Sequence, residues 1–181
     1  MRYEINGRIL ELIEGDITAQ TADAIVNAAN SGLRGGAGVD GAIHRAGGPE
    51  IMRECRQLGG CQTGSACITT AGRLRAGYVI HAVGPVWRGG GQGEAALLAG
   101  AYRRSLELAA GKGLKSIAFP SIGTGAYRYP LAEAAAIALA EVIEHLRGET
   151  SLGRVSFVLF SGEAYEVYRG VLEQQIRNGG N

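Results

Sequence analysis

The strongest constraint on this chain is the alternation of short apolar runs with longer amphipathic segments. Runs of strand length cover 3–5, 9–13, 24–26, 66–70, 78–83, 116–120 and 155–160. Segments with apolar residues at helical spacing cover 39–46, 94–110, 131–146 and 163–176. Strands that alternate with helices predict an α/β fold, in which a mostly parallel sheet lies between layers of helices.

The first two runs are separated by Asn6-Gly7, which is typical of a two-residue hairpin turn. We therefore predict an antiparallel pair at one edge of the sheet. A chain of 181 residues, of which 46% are hydrophobic, is long enough for one sizeable core. We expect one domain that spans residues 1–181.

Composition argues against several classes of partner. The net charge of +1 gives no basic surface for non-specific binding to nucleic acid. No apolar run approaches the roughly 20 residues that span a bilayer, and the N-terminal Met1-Arg2-Tyr3-Glu4 is not a signal sequence. We expect a cytoplasmic protein with no membrane association, and nucleic acid is not an expected partner.

The cysteines are three in number and spaced six residues apart, at Cys55, Cys61 and Cys67. They form no Cys-x-x-Cys pair, and no histidine lies beside them in the sequence, so we do not expect a zinc site. We interpret them as reduced thiols. No metal and no cofactor are predicted.

A glycine-rich loop covers residues 27–40, between a strand and a helix. Glycine permits a positive φ and a close approach of the backbone to a ligand. The helix start adds unpaired N–H groups, so the loop is suited to bind phosphate. It has neither the Lys-Ser/Thr ending of a Walker A loop nor Gly-x-Gly-x-x-Gly. The alternative is a glycine turn without a ligand.

A second glycine-rich loop covers residues 120–127 and also follows a strand. Its backbone N–H groups can face the same anion, and Tyr127 can pack against a sugar or a base. Ligands of α/β proteins bind at the carboxyl ends of parallel strands. Two such loops together predict a diphosphate that is held from both sides.

Short polar side chains are scarce, since only three of the 17 acidic residues are aspartates. Asp16 follows a strand, and Asp40 lies in the first turn of a predicted helix. A helix N-terminus and a carboxylate stabilise each other, so Asp40 can have no role beyond stabilising the helix end. Alternatively, it can bind a ribose or activate water. Asn27 and Asn30 can cap turns or bind ribose hydroxyls.

Two histidines lie near these residues. His44 follows Asp40 by four positions, on the same face of the predicted helix, so it can pair with Asp40 or pack in a second layer. His81 lies inside an apolar strand, and we interpret it as a core histidine whose hydrogen bonds are satisfied.

These motifs together resemble the macrodomain family, and its MacroD-type branch most of all. The resemblance extends from residue 9 to about residue 172, with the motifs in family order. The segments that carry it are 15–18, 25–31, 35–48, 79–85, 123–125 and 129–130. It implies a three-layer α/β/α macrodomain with a mixed central sheet, and ADP-ribose bound in a cleft at the strand ends.

The resemblance also implies a role for particular residues. Asp16 would accept a hydrogen bond from the adenine amino group, with Ile17 beside it, and Phe160 would pack against the adenine. Tyr127 would cover the distal ribose. The residues that cradle the diphosphate would be Gly36, Gly38, Val39, Ser121, Ile122, Gly123, Thr124, Gly125 and Ala126. The catalytic group would be Asn30 and Asp40 on either side of the distal ribose, with Asn27 and His44 in support.

MacroD-type members remove ADP-ribose from acidic side chains and deacetylate O-acetyl-ADP-ribose. The resemblance therefore implies a hydrolase of ADP-ribosyl esters, in which Asp40 or the phosphate helps a water to attack. ADP-ribosylated proteins or O-acetyl-ADP-ribose would be its partners, without a metal or a redox cofactor.

The alternative is a reader module that binds ADP-ribose without catalysis. Ala37 and Gly123 favour it, since they depart from the family pattern, and Arg128 stands where glycine is common. If position 37 takes a positive φ, Ala37 costs about 1 kcal/mol.

Overall fold

The computed structural model describes residues 1–179, which form a seven-stranded sheet covered by helices on both faces. The strands lie in the order β1-β2-β7-β6-β3-β5-β4. Their bounds are β1 Arg2–Ile5, β2 Arg8–Glu14, β3 Ala24–Ala28, β4 Ala66–Thr70, β5 Tyr78–Ala82, β6 Ser116–Phe119 and β7 Arg154–Leu159.

The interior of the sheet is parallel and both edges are antiparallel. Strands β2, β7, β6, β3 and β5 pair in parallel, whereas β1 pairs antiparallel to β2 and β4 antiparallel to β5. The turn between β1 and β2 places Asn6 at a φ of 51° and Gly7 at a φ of 75°. These positive values are those of a type I′ turn, so the predicted hairpin and the mixed, mostly parallel sheet are confirmed.

Five helices cover the sheet within the described residues. Their bounds are α1 Gly38–Gly47, α2 Pro49–Leu58, α3 Glu94–Gly111, α4 Leu131–Arg147 and α5 Gly162–Gly179. Side chains alternate between the two faces along each strand. Val26 and Phe119 therefore pack in the core beneath α3, α4 and α5, whereas Ile25 and Ala118 pack in the core beneath α1 and α2. The predicted three-layer α/β/α fold is confirmed.

Helix α2 is the α-helix that the sequence pattern did not predict. Only Ile51 and Cys55 of this helix are buried, one turn apart. Two inward residues give too short a periodic stripe for recognition by hydrophobic spacing. Its boundaries carried a signal, because Pro49 starts the helix and Gly59 ends it at a φ of 75°.

The cysteines lie on α2, on β4 and on the segment between them, and they carry no disulfide. Burial raises the pKa of Cys55 to about 11 and that of Cys61 to about 12. Both thiols therefore stay protonated and unreactive near neutral pH. Among residues 1–179, no helix has the length and apolar character needed to cross a bilayer.

Candidate functional site

Two adjoining cavities open at the carboxyl ends of the parallel strands. One has a volume of about 340 Å³ and includes Asn30, and we call it the Asn30 cavity. The other, of about 660 Å³, includes Phe160, and we call it the Phe160 cavity. They share four lining residues, Gly38, Val39, Ser121 and Gly125, and so form one continuous cleft. Its size is that of small-molecule sites.

The structure brings most of the predicted site residues together in this cleft. Those in the Asn30 cavity are Asn30, Gly36, Gly38, Val39, Asp40, Ser121, Ile122, Gly123, Gly125, Ala126 and Tyr127. Those in the Phe160 cavity that are not shared are Asp16, Ile17, Thr124 and Phe160. The remaining two, Asn27 and His44, do not line either cavity and lie behind Asp40.

The two glycine-rich loops face each other across the cleft. Gly38 and Val39 are the first residues of α1, so their N–H groups have no acceptor within the helix. On the opposite side, the N–H groups of Thr124, Gly125 and Ala126 have no acceptor among the described residues. The helix start adds a partial positive charge. This part of the cleft is therefore built to receive an anion from both sides.

Backbone conformation in the loops corrects one expectation. Ala37 has a φ of −88°, so alanine at this position carries no left-handed strain. Among the residues that line the cleft here, Gly38 (61°) and Gly123 (83°) take a positive φ, which glycine tolerates. Position 37 therefore gives no reason to expect a distorted loop.

Arg128, which directly follows the second loop, is a strained residue at a φ of 61°. The left-handed region costs a non-glycine residue about 1–2 kcal/mol. Replacement by glycine removes this strain, but the greater entropy of the unfolded glycine chain offsets part of the stabilisation. We expect Arg128→Gly to raise the free energy of unfolding, measured in urea, by about 0.5–1 kcal/mol. Arg128→Ala is the control, since it removes the charge and keeps the strain. An equal gain from both variants would mean that the charge, not the backbone, destabilises the loop.

Two buried tyrosines hold the second loop from beneath. Tyr102 of α3 accepts a hydrogen bond from the N–H of Ile122 at 2.9 Å, and Tyr168 of α5 donates to Ser121 Oγ at 2.9 Å. Burial raises the pKa of Tyr168 to about 12 and that of Tyr102 well above its usual value, so both remain neutral. The aromatic core thus fixes the position of the loop that lines both cavities.

The loop before α3 supports the same region through a buried carboxylate. Glu94 accepts hydrogen bonds from the backbone N–H groups of Arg88, Gly90 and Gln92. Burial raises the pKa of Glu94, but these bonds outweigh it and lower that pKa overall. The N–H of Trp87, which precedes this loop, donates to the carbonyl of Tyr127 at 2.8 Å. The loop is thereby tied to the mouth of the Asn30 cavity.

The Phe160 cavity combines an exposed ring with a carboxylate. Phe160, which follows β7, is 85% exposed, so its ring is free to cover an apolar ligand. Asp16 Oδ1 accepts from the N–H and the hydroxyl of Thr18, at 2.8 and 2.7 Å. Its Oδ2 has no partner among the described residues. One carboxylate oxygen thus fixes the side chain, and the other can bind a ligand.

The Asn30 cavity contains the two polar side chains that were predicted to act together. Asn30 donates to the carbonyl of Gly35 at 2.8 Å and accepts from the N–H of Arg34 at 3.0 Å. It therefore shapes the first loop as well as lining the cavity. Asp40 is 6% exposed and lies in the first turn of α1.

The side chains behind Asp40 hold one of its oxygens. Asn27 donates to Asp40 Oδ1 at 2.9 Å, and His44 Nε2 lies 3.3 Å from the same oxygen. The sequence left open whether His44 pairs with Asp40 or packs, and the structure shows that it pairs. His81 is buried and hydrogen-bonded to its neighbours, as predicted.

Several lining residues were not predicted, among them Arg45, Gly84 and Ser161. Arg45 lies on α1, where helical spacing from Gly38 and Ala42 could have placed it at the cleft. Gly84 follows a strand that neighbours β3 in the sheet, and only the strand order brings it to the site. Within residues 1–179, no group of three or more side chains is arranged to hold a metal ion.

A mixed sheet between two helical layers, with two facing glycine-rich loops at the strand ends, defines an α/β/α domain that binds an anionic ligand in an open cleft. Residues 26–138 match the Macro domain family. The chain therefore belongs to the macro domain family.

Similar proteins include one curated relative and two solved structures. The O-acetyl-ADP-ribose deacetylase of Citrobacter rodentium is 52% identical, over 94% of this chain and 98% of its own. A solved Oceanobacillus iheyensis macrodomain with ADP is 44% identical, with a TM-score of 0.95 over 98% of this chain and 97% of its own. A Trypanosoma brucei macrodomain in complex with ADP-ribose is 43% identical, with a TM-score of 0.84 over 89% of this chain and 68% of its own.

Proposed function

We propose that the cleft binds ADP-ribose and that the protein hydrolyses ADP-ribosyl esters. Two facing loops that present free N–H groups to both cavities are the observation that carries the binding proposal. A diphosphate between the loops would place the adenosine in the Phe160 cavity and the distal ribose in the Asn30 cavity. The solved relatives with ADP and with ADP-ribose support this choice of ligand.

The adenosine end would be recognised by a stacked ring and one carboxylate. Phe160 presents an exposed face to an adenine, and base–aromatic stacking contributes about 1–3 kcal/mol per base. Asp16 Oδ2 is an acceptor for the adenine amino group, and the bonds from Thr18 keep the carboxylate in position. Ile17, which is buried beside Asp16, gives the base an apolar neighbour.

The distal end would carry the chemistry. Asp40 Oδ1 faces Asn27, whereas Oδ2 lies toward Gly36, where a Cβ would come within 3.5 Å of it. Oδ2 is thus the oxygen that is free to accept a proton from a water near the distal ribose. Attack by that water on the ester would release a carboxylic acid and ADP-ribose. Asn30 and Tyr127 would hold the ribose in place.

Two ester substrates have this chemistry, mono-ADP-ribosylated aspartate or glutamate of a protein and O-acetyl-ADP-ribose. The similarity to a relative named O-acetyl-ADP-ribose deacetylase supports the hydrolase proposal. The competing function is a reader module, which binds without turnover. One of the two residues that favoured a reader, Ala37, no longer does so, because its φ of −88° carries no left-handed strain.

Calorimetric titration with ADP-ribose tests the binding proposal. We expect Phe160→Ala to weaken ADP-ribose binding about tenfold, because the adenine loses its stacking partner. Leu58→Ala, at an exposed apolar residue on α2 outside the cleft, is the matched control and should bind as wild type does. Equal affinities in all three proteins would place the adenine elsewhere and reject the proposed orientation.

A further inference from the structure

A chain of buried polar side chains runs from the edge of the sheet to Asp40. It begins at Thr69 on β4, continues through His81 on β5 and Asn27 on β3, and ends at Asp40 on α1. These residues are 4%, 1%, 0% and 6% exposed, in that order. The successive contacts are 2.9 Å from Thr69 Oγ1 to His81 Nε2, 3.2 Å from His81 Nδ1 to Asn27 Nδ2 and 2.9 Å from Asn27 Nδ2 to Asp40 Oδ1.

The end of this series of hydrogen bonds at Thr69 fixes where each proton lies. Thr69 Oγ1 is 2.9 Å from the carbonyl oxygen of Thr70, which can only accept, so the hydroxyl proton is committed there. Thr69 must then accept from His81, whose Nε2 carries the proton and whose Nδ1 is bare. The bare Nδ1 accepts from the amide of Asn27. Cys55 Sγ, 3.7 Å from the same Nε2, is a weak acceptor and does not oppose this arrangement.

The opposite arrangement is the one that these contacts exclude. A proton on His81 Nδ1 would require Asn27 to turn its Oδ1 toward the ring. The same rotation would place Oδ1 against the carboxylate of Asp40, where two acceptors repel. No described residue donates to Asn27 Oδ1, so nothing on its other side holds the amide. The orientation of Asn27 depends on Asp40 and His81 alone.

We propose that His81 and Thr69 are positioning residues for the hydrolysis, which they serve by fixing the amide of Asn27. Thr69 selects the Nε2–H form of His81, and His81 then holds the NH₂ group of Asn27 toward Asp40. Asp40 Oδ1 is thereby occupied, and Oδ2 is left toward the cleft. This inference rests on the proposed function, since it assigns the two residues to the reaction that Asp40 would carry.

Nuclear magnetic resonance of the imidazole nitrogens tests the first step without any substrate. Neutral His81 in the wild-type protein should be the Nε2–H tautomer alone. In Thr69→Val, which lacks the hydroxyl, a measurable fraction should change to Nδ1–H. Thr69→Ser keeps the hydroxyl and should restore the wild-type tautomer. An Nδ1–H tautomer in the wild-type protein would overturn the proposal.

Turnover of O-acetyl-ADP-ribose tests the second step. We expect kcat to fall about tenfold in Thr69→Val, because Asp40 loses its orientation. KM and the affinity for ADP-ribose should be unchanged, because the ligand keeps its contacts. Thr69→Ser should retain the wild-type kcat. Thr70→Val is the matched control on the same strand, because it removes an exposed hydroxyl that pairs with Glu54. Its kcat should equal that of the wild type.

The outcomes separate this inference from the proposed function. Equal falls in kcat for Thr69→Val and Thr70→Val would show a general effect on β4 and would overturn the positioning role. A wild-type protein that binds ADP-ribose but releases no product would overturn the proposed hydrolysis, and with it this role. In that case, the tautomer of His81 would still show whether Thr69 and His81 orient Asn27.

Discussion

Replacement of Asp40 by alanine is expected to lower the rate of ADP-ribosyl ester hydrolysis by at least about 100-fold, because general base catalysis contributes a factor of that order or more. Binding of ADP-ribose should change little, since the diphosphate would be held by backbone N–H groups on both sides of the cleft. The expected result is thus a protein that binds the product normally and no longer forms it.

Single-turnover rates and calorimetric affinities measured together check this expectation. Asp40→Asn is the second variant, since it keeps the shape of the side chain and removes its charge, and it should lose turnover to a similar extent. Melting temperatures control for damage to α1, because alanine would leave the amide of Asn27 without its acceptor. Wild-type turnover in either variant would remove Asp40 from the mechanism and leave a phosphate of the substrate as the base.

Mild acid is expected to destabilise the fold through His81. Burial, and next the charge of His44, lower the pKa of His81 to about 4, whereas an unfolded histidine titrates near 6.5. Between these values the unfolded chain binds the proton and the folded chain does not. The contribution of neutral His81 to the free energy of unfolding is therefore fully present above about pH 6.5. It is lost as the pH decreases toward about 4, by about 3 kcal/mol in total.

Urea unfolding across this pH range, in the wild type and in His81→Gln, isolates that contribution. Glutamine offers a donor and an acceptor to Thr69 and Asn27 and does not titrate. We expect the free energy of unfolding of His81→Gln to fall less steeply with acid. His145→Gln is the comparison: burial lowers the pKa of His145 as well but by less, so this variant should flatten the slope less than His81→Gln does. Parallel slopes for His81→Gln and wild type would show that His81 is protonated in the folded state.

Much of this fold could be predicted from local patterns. The alternation of apolar runs with amphipathic segments is enough to predict a layered α/β fold, and Asn6-Gly7 is enough to predict the first hairpin. Helix α2 could not be found in this way, because only Ile51 and Cys55 face the core. The strand order also had no local signal, since the pairing of β2 with β7 joins residues more than 140 positions apart.

The site was predictable where a residue of informative type stands at the end of a predicted strand. Glycine-rich loops, and scarce polar residues at strand ends, point to the cleft because parallel strands end at the same edge. The supporting place of Asn27 came from the family resemblance alone, since the alternation of side chains along a strand gives the face but not the depth. Likewise, the hydrogen bond from Trp87 to Tyr127, which ties the loop before α3 to the mouth of the Asn30 cavity, is a tertiary contact that no spacing reveals.

The most direct test of the central claim uses a protein that is mono-ADP-ribosylated on glutamate or aspartate, incubated with an excess of the wild-type chain. The account predicts release of free ADP-ribose and recovery of the unmodified acidic side chain in a single turnover, together with calorimetric binding of ADP-ribose. Tight binding of ADP-ribose without release from this protein or from O-acetyl-ADP-ribose would contradict it, and would identify the chain as a reader.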